Sequence, residues 1–238
     1  MSIPPYHWWR TVFYLIPAIT VYTIVLGAAS IVSSLVDRRG YFAHRCARAW
    51  SWLILRTTGV RVHVEGLERL DRSRSYVLAA NHQSIYDIPI LFASLPFQLR
   101  ILAKESLGRI PFMGWHLQRT GHVLVDRSNP GAGVVRKMKR LVDEGHSLIV
   151  FPEGTRSTDG SVGRFKGGSF IIALQSGLPV VPISVIGSRH VMFRGDVMVR
   201  PGRVRVIVHE PIETRSVPRE AVREFASSVR EVVASAAA

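Results

Sequence analysis

Hydrophobic positions change their spacing twice along this 238-residue chain. Thr11 to Val36 runs without a charged residue, long enough to cross a hydrocarbon core of about 30 Å as a helix. Tyr6, Trp8 and Trp9 stand at one end of it, where amphipathic aromatics favour the headgroup layer. Pro17 predicts a kink, and Ser30, Ser33 and Ser34 weaken the far end, so a shallow or re-entrant insertion competes with a full span. A cleaved signal peptide fits less well, because its apolar region runs to only about 7–15 residues. Tyr41 to Thr58 reads as a second helix, with arginines spaced among Trp50, Trp52, Leu53 and Leu55. It suits a helix lying on lipid, its guanidinium groups reaching phosphates, and equally a helix packed on the adjoining domain.

From Gly59 short apolar strands alternate with helices. Strands are expected at 60–64, 76–80, 99–103, 122–125, 148–151, 180–186 and 204–208. Helices are expected at 88–95, 114–119, 133–144, 168–175 and 218–233, the last with Val222, Phe225, Val229 and Val232 on one side. The alternation predicts an α/β fold: a mainly parallel central sheet covered by helices, with an N-terminal two-helix membrane anchor. The anchor is expected over residues 1–58 and the α/β domain over 59–238.

Composition supports the membrane and narrows the partners. Hydrophobic residues make up 47% of the chain, and the net charge of +14 suits nucleic acid, anionic lipid or phosphorylated substrates. The arginines spread from Arg10 to Arg230 with no aromatic-interleaved basic pattern and no Cys/His finger spacing, so nucleic acid is not an expected partner. Cys46 is the single cysteine, which excludes an internal disulfide and an all-Cys metal site and points to a reducing compartment. Arg38, Arg39, Arg45 and Arg48 come after the apolar run against Arg10 before it, and this bias places the α/β domain in the cytoplasm.

Polar clusters stand where predicted strands end. Asn81-His82 comes after the second strand, and Asp87 stands five residues after His82, just before Ile88-Pro89. Histidine titrates near neutrality, and a carboxylate able to fold back onto it builds a general base. Asp87 is also well placed to cap the helix after it. Phe151-Pro152-Glu153-Gly154-Thr155-Arg156 comes after a buried strand, and in open α/β sheets ligands bind outside the carboxyl ends of strands. Arg164 and Lys166 lead through Gly167-Gly168 into a helix, an arrangement suited to an anion. Gly121 to Arg127 ends a further strand in Asp126-Arg127, and Lys104 ends another.

In order and separation these clusters resemble the glycerolphosphate acyltransferase family, most closely its lysophosphatidic acid acyltransferases. Asn81-His82-x4-Asp87 matches the first family motif, and Gly121 to Arg127 resembles the second, with Leu124-Val125 where Phe-Ile is common. Phe151 to Arg156 matches the third, and Val181-Pro182-Ile183 the fourth. The likeness covers roughly residues 60 to 210. It implies acyl transfer from a thioester, acyl-CoA or acyl carrier protein, to the sn-2 hydroxyl of lysophosphatidic acid, giving phosphatidic acid. His82 and Asp87 are then catalytic. Glu153, Gly154, Thr155 and Arg156 belong to the acceptor site, with Arg127 next for its phosphate, then Arg164 and Lys166, and Lys104 as a weaker choice. The substrate supplies the hydroxyl, so no enzyme nucleophile is needed, and the chain has no Gly-x-Ser-x-Gly elbow. No cofactor or metal is expected, since neither a metal constellation, a Walker loop nor a dinucleotide fingerprint is present. Two other readings remain open: the same chemistry on another lysolipid or glycolipid, and a non-catalytic lipid-binding membrane protein.

Overall fold

The computed structural model describes residues 5–37, 39–125 and 132–237. Its centre is a seven-stranded sheet: β1 (Val60–Glu65), β2 (Val77–Ala80), β3 (Leu99–Lys104), β4 (Val123–Val125), β5 (Ser147–Val150), β6 (Val180–Ile186) and β7 (Gly202–Val208). In space the order is β1-β7-β6-β2-β5-β3-β4. The five strands from β6 to β4 run parallel, while β7 is antiparallel to β6 and parallel to β1. The strands at the centre, β2 and β5, are buried at every position, as a sheet covered on both faces requires.

The period of two divides these strands between two cores. Leu78, Ala80, Ile149, Phe151, Val181 and Ile183 face one side. Val77, Ala79, Leu148, Val150 and Val180 face the other. The second face is covered by α6 (Ala132–Asp143), α7 (Ile171–Ser176) and α9 (Val222–Ala237). The first face carries α3 (Tyr41–Thr58), α4 (Asp87–Ser94) and α5 (Met113–Arg119). Outside them lies a continuous N-terminal helix made of α1 (Tyr6–Arg10), a π-helical turn at Thr11–Leu15, and α2 (Ile16–Ser33). A one-turn α8 (Ser188–Val191) comes after β6.

The π turn answers the kink expected at Pro17. Proline offers no N–H to the carbonyl four residues back and its ring crowds that carbonyl, and winding the preceding turn wider relieves both. Together Tyr6–Ser33 is the one described helix long and apolar enough to cross a membrane, at mean hydropathy 2.1. It pairs antiparallel with α3 through polar contacts: Trp50 Nε1 donates to Thr23 Oγ1 at 3.0 Å, and the Tyr22 and Thr57 hydroxyls meet at 3.1 Å. Arg10 Nη2 donates to the Thr58 carbonyl at 2.7 Å, a cation at the end of α3 where carbonyls lack helical partners. α3 packs on the domain, one of the two readings left open for it. Ile54 and Leu55 pack into the core beneath the sheet face, while Tyr41, Phe42 and Trp52 remain exposed.

Element edges shift where glycine and proline loosen the ends. The segment from Gly168 opens as a 3₁₀ turn at Gly167–Ser169 before α7, and the last helix begins at Val222 after a 3₁₀ turn at Arg219–Ala221.

Candidate active site

Adjacent strands β2 and β5 send their chains to opposite faces of the sheet, β2 into α4 and β5 towards α7. A crevice opens at such a switch point, beyond the carboxyl ends of the strands. His82 leaves β2 there and Phe151–Arg156 leaves β5, so the two clusters face each other as the sequence implied. Asn81 extends β2 by one residue through its side chain: Nδ2 donates to the Val185 carbonyl at 2.9 Å, and Oδ1 accepts from the Val185 N–H at 2.7 Å. That bond pair fixes where the histidine turn begins.

His82 Nδ1 stands 2.8 Å from Asp87 Oδ2. The same oxygen accepts the Gln83 N–H at 2.8 Å and the Ser84 N–H at 2.9 Å. Asp87 is 0% exposed, and Oδ2 alone takes these three contacts, while among the described residues Oδ1 has no hydrogen-bond partner. Asp87 does not cap α4. Tyr86 occupies the N-cap position, and Asp87 is already the first helical residue, where a side chain points back towards the preceding turn. The expected cap is therefore a clamp on the turn that carries the histidine. Phe151 stacks on the imidazole with ring centroids 4.1 Å apart.

Glu153 takes a role the sequence did not suggest. Its Oε1 accepts the His82 backbone N–H at 2.8 Å and its Oε2 accepts the Gly163 N–H at 3.0 Å. Ser157 N–H in turn donates to the His82 carbonyl at 2.8 Å. The loop after β5 thus grips the histidine from both sides of its peptide. Burial pushes the Glu153 carboxyl up, against the two N–H donors and the nearby histidine, which pull it down. A Cβ on Gly163 would stand 2.9 Å from Glu153 Oε2, so a larger residue there would displace that carboxylate.

Beside His82 lies a cavity of about 520 Å³, between the sheet and helices α2 to α5. Thr155, Arg156 and Arg194 join His82 at its polar end. Its walls are apolar, with Leu26, Trp50, Ile88, Phe92, Leu107 and Leu117 among them. The far end is closed by His116, bonded to the Ser30 hydroxyl of α2, and by His122, whose Nδ1 accepts the Ile101 N–H. Burial, reinforced by Arg100, holds His116 down at about 4. Burial first, then His116 and Arg100, holds His122 well below its ordinary value. Both are neutral lining groups near pH 7.

Gly154, at φ +76°, lets Lys166 come close: a Cβ on it would stand 3.0 Å from Lys166 Nζ. Arg164 is exposed and does not line the cavity. Lys104 is the last residue of β3, paired with Val125 at the same end of the sheet as His82. Asp126 and Arg127 lie outside the described residues. Sequence reading missed Arg194, which lines the mouth and donates from Nη1 to the Arg156 carbonyl at 2.8 Å. It stands at no strand end, and among so many arginines nothing in its neighbourhood marks it.

A family model described as Acyltransferase matches residues 61–186, more than half of the chain, and spans His82, Asp87 and Phe151 to Arg156. The chain belongs to the acyltransferase family. It is 38% identical over 183 residues to a chloroplastic 1-acyl-sn-glycerol-3-phosphate acyltransferase of Brassica napus, an alignment covering 75% of this chain and 53% of that one. A protein of the same description from Saccharomyces cerevisiae is 32% identical over 214 residues, covering 85% of this chain and 68% of that one. Among solved structures, the 1-acyl-sn-glycerophosphate acyltransferase of Thermotoga maritima superposes with TM-score 0.80 at 28% identity, covering 97% of this chain and 96% of the other. The chain spans about half the length of the first plant relatives it matches. As a member of this family, the chain carries its histidine-aspartate pair at the mouth of an apolar cavity.

Proposed function

We propose that this acyltransferase moves a fatty acyl group from a thioester donor to the sn-2 hydroxyl of lysophosphatidic acid, giving phosphatidic acid. The observation that carries the reading is the joining of a carboxylate-held histidine to a cavity that is cationic at its mouth and apolar within. With Nδ1 bonded to Asp87, His82 keeps Nε2 for the acceptor hydroxyl. Neutral His82 takes that proton as the hydroxyl oxygen attacks the thioester carbonyl. Asp87 holds the tautomer and stabilises the imidazolium that forms, as the carboxylate does in a Ser-His-Asp triad. The imidazolium then protonates the thiolate leaving group. Glu153 acts at one remove, as a positioning residue for the His82 peptide.

The acceptor's phosphate is assigned to Arg156 and Arg194, with Lys166 beside Gly154 and with Arg127 and Lys104 as further cations. A planar guanidinium fork suits a phosphomonoester. The apolar cavity is assigned to an acyl chain; its size falls within the range of about 300–1,000 Å³ common for ligand sites. The donor is acyl-CoA or acyl carrier protein, and no cofactor takes part. Both lipids partition into the bilayer, which fits the apolar N-terminal helix, and we place the catalytic face on the cytoplasmic side.

Purified protein assayed with one acyl donor against a panel of lysolipids tests the reading. Turnover of lysophosphatidic acid well above that of lysophosphatidylcholine and lysophosphatidylethanolamine is expected. No turnover of lysophosphatidic acid, with turnover of another lysolipid, reassigns the acceptor; no turnover of any leaves a lipid-binding protein.

A further inference from the structure

A second cavity, of about 180 Å³, lies at the opposite end of the parallel strands from His82. It is built where β3 and β5 begin: Arg100 is the second residue of β3, and His146 directly precedes β5. A six-residue strand places it about 20 Å from the catalytic crevice. Arg100 is the largest fully buried side chain among the described residues, 1% exposed. Its hydrogen bonds go to neutral groups: Nη1 donates to the Leu99 carbonyl at 2.9 Å and Nη2 to the Arg39 carbonyl at 2.8 Å. Among the described residues, its Nε and the Nδ1 of buried His146 have no hydrogen-bond partner. The fold makes room for this charge, since a Cβ on Gly40 would stand 2.8 Å from Arg100 Nη2 and one on Gly121 3.3 Å from Nε.

A buried charge without a close counter-ion is costly, and among the described residues Asp37 and Glu144 act on this one without forming an ion pair with it. Arg39, Arg119, Lys137 and Arg140 line the same cavity, against the single carboxylate of Glu144, which pairs with Arg140 at 3.3 Å. So much like charge around a space holding roughly six water volumes, with a fully buried guanidinium in its wall, matches an anion the size of a phosphate ester. The surroundings identify its source. Arg39 belongs to the turn joining α2 to α3, and on that turn Leu35 and Val36 are 73% and 86% exposed. Tyr41 and Phe42 are exposed just beyond, continuing the apolar outer face of α2. Apolar side chains beside an anion cavity suit a lipid surface.

We propose that this cavity binds the phosphate of an anionic phospholipid headgroup while Leu35 and Val36 enter the bilayer beside it. The α2–α3 hairpin is then held at both ends, by the catalytic mouth and by this distal turn, so that the apolar cavity between them lies along the membrane. The site is separate from the acyl-transfer reading, and binding rather than turnover reads it.

The test compares native protein with Arg39→Gln/Arg119→Gln, both exposed positions. Partition is measured into vesicles of phosphatidylcholine alone and of phosphatidylcholine with phosphatidylglycerol, at high salt, where screening shortens to about 3 Å and diffuse attraction is lost. The native protein is expected to keep a preference of about tenfold for the anionic vesicles, and the variant to lose it while retaining acyl transfer in detergent. A native preference that vanishes in salt, or one that persists in the variant, overturns the site. Inorganic phosphate is the separate arm: if phosphate alone abolishes the preference and raises the melting temperature as far as the anionic vesicles do, the cavity is a free-phosphate site and the lipid assignment fails.

Discussion

One oxygen of Asp87 gathers the His82 ring and two backbone N–H groups, so catalysis and local folding share a single carboxylate. Asparagine in its place offers an acceptor to the same donors without the charge. Asp87→Asn is expected to fold normally while kcat falls by two to four orders, up to about the 10⁴-fold seen for the equivalent change in a serine-protease triad. Wild-type kcat would contradict the assignment. Glu153→Gln keeps one acceptor but turns an amide towards the Gly163 N–H, setting donor against donor. The expected loss is about 10- to 100-fold, in kcat rather than in KM for the acceptor, because the His82 peptide shifts. A rise in KM alone would instead place Glu153 on the phosphate. The pairing of His82 with Asp87 was legible from five-residue spacing after a strand. Glu153 was not, because its bonds go to backbone groups 71 and 10 residues away and leave no trace in spacing.

At the scale of elements, periodicity recovered all seven strands and the helices that cover them, and Tyr41–Thr58 to the residue. Glycine and proline punctuate these elements sharply. What it could not resolve was how much of the N-terminal hairpin the protein itself covers. Burial of α2 depends on Gly27 approaching Phe112, which sits at φ +60°, and on Ser30 meeting His116, partners some 85 residues away. The opposite face of α2 stays open, with Val21 and Val25 both exposed one turn apart. Val21→Glu/Val25→Glu is expected to weaken vesicle partition by more than about tenfold while leaving detergent-phase acyl transfer near native. Unchanged partition would show that this face does not meet lipid.

In the whole molecule, the end of the sheet away from His82 gathers His116, His122 and His146 around Arg100. Burial, with Arg100, holds His146 down at about 4, as it does His116, and burial first holds His122 well below its ordinary value. The unfolded chain takes up these protons near pH 6.5 and the folded chain does not, so the unfolded state binds more protons as pH falls. Stability is expected to be flat above about pH 7 and to drop from pH 6.5 towards 4, by up to about 1.4 kcal/mol per pH unit for each neutral histidine. Glu153, raised by burial, works in the other direction but is one group against several, since burial and Arg100 also hold His44 down to about 3. Melting temperatures in detergent across this range check it; a profile rising on acidification would contradict the cluster. The mostly parallel sheet was foreseeable from alternation alone, whereas this cluster joins residues 100, 116, 122 and 146 only through the strand order β5-β3-β4, which no local pattern specifies.

The central claim is that a carboxylate-held His82 at the mouth of an apolar cavity transfers an acyl group. Acyl transfer from a long-chain thioester to lysophosphatidic acid, measured side by side for native protein and His82→Ala with vesicle binding as the folding control, tests it most directly. Activity in the native protein, lost in the variant while vesicle binding is unchanged, is the predicted result; equal activity in both would contradict it.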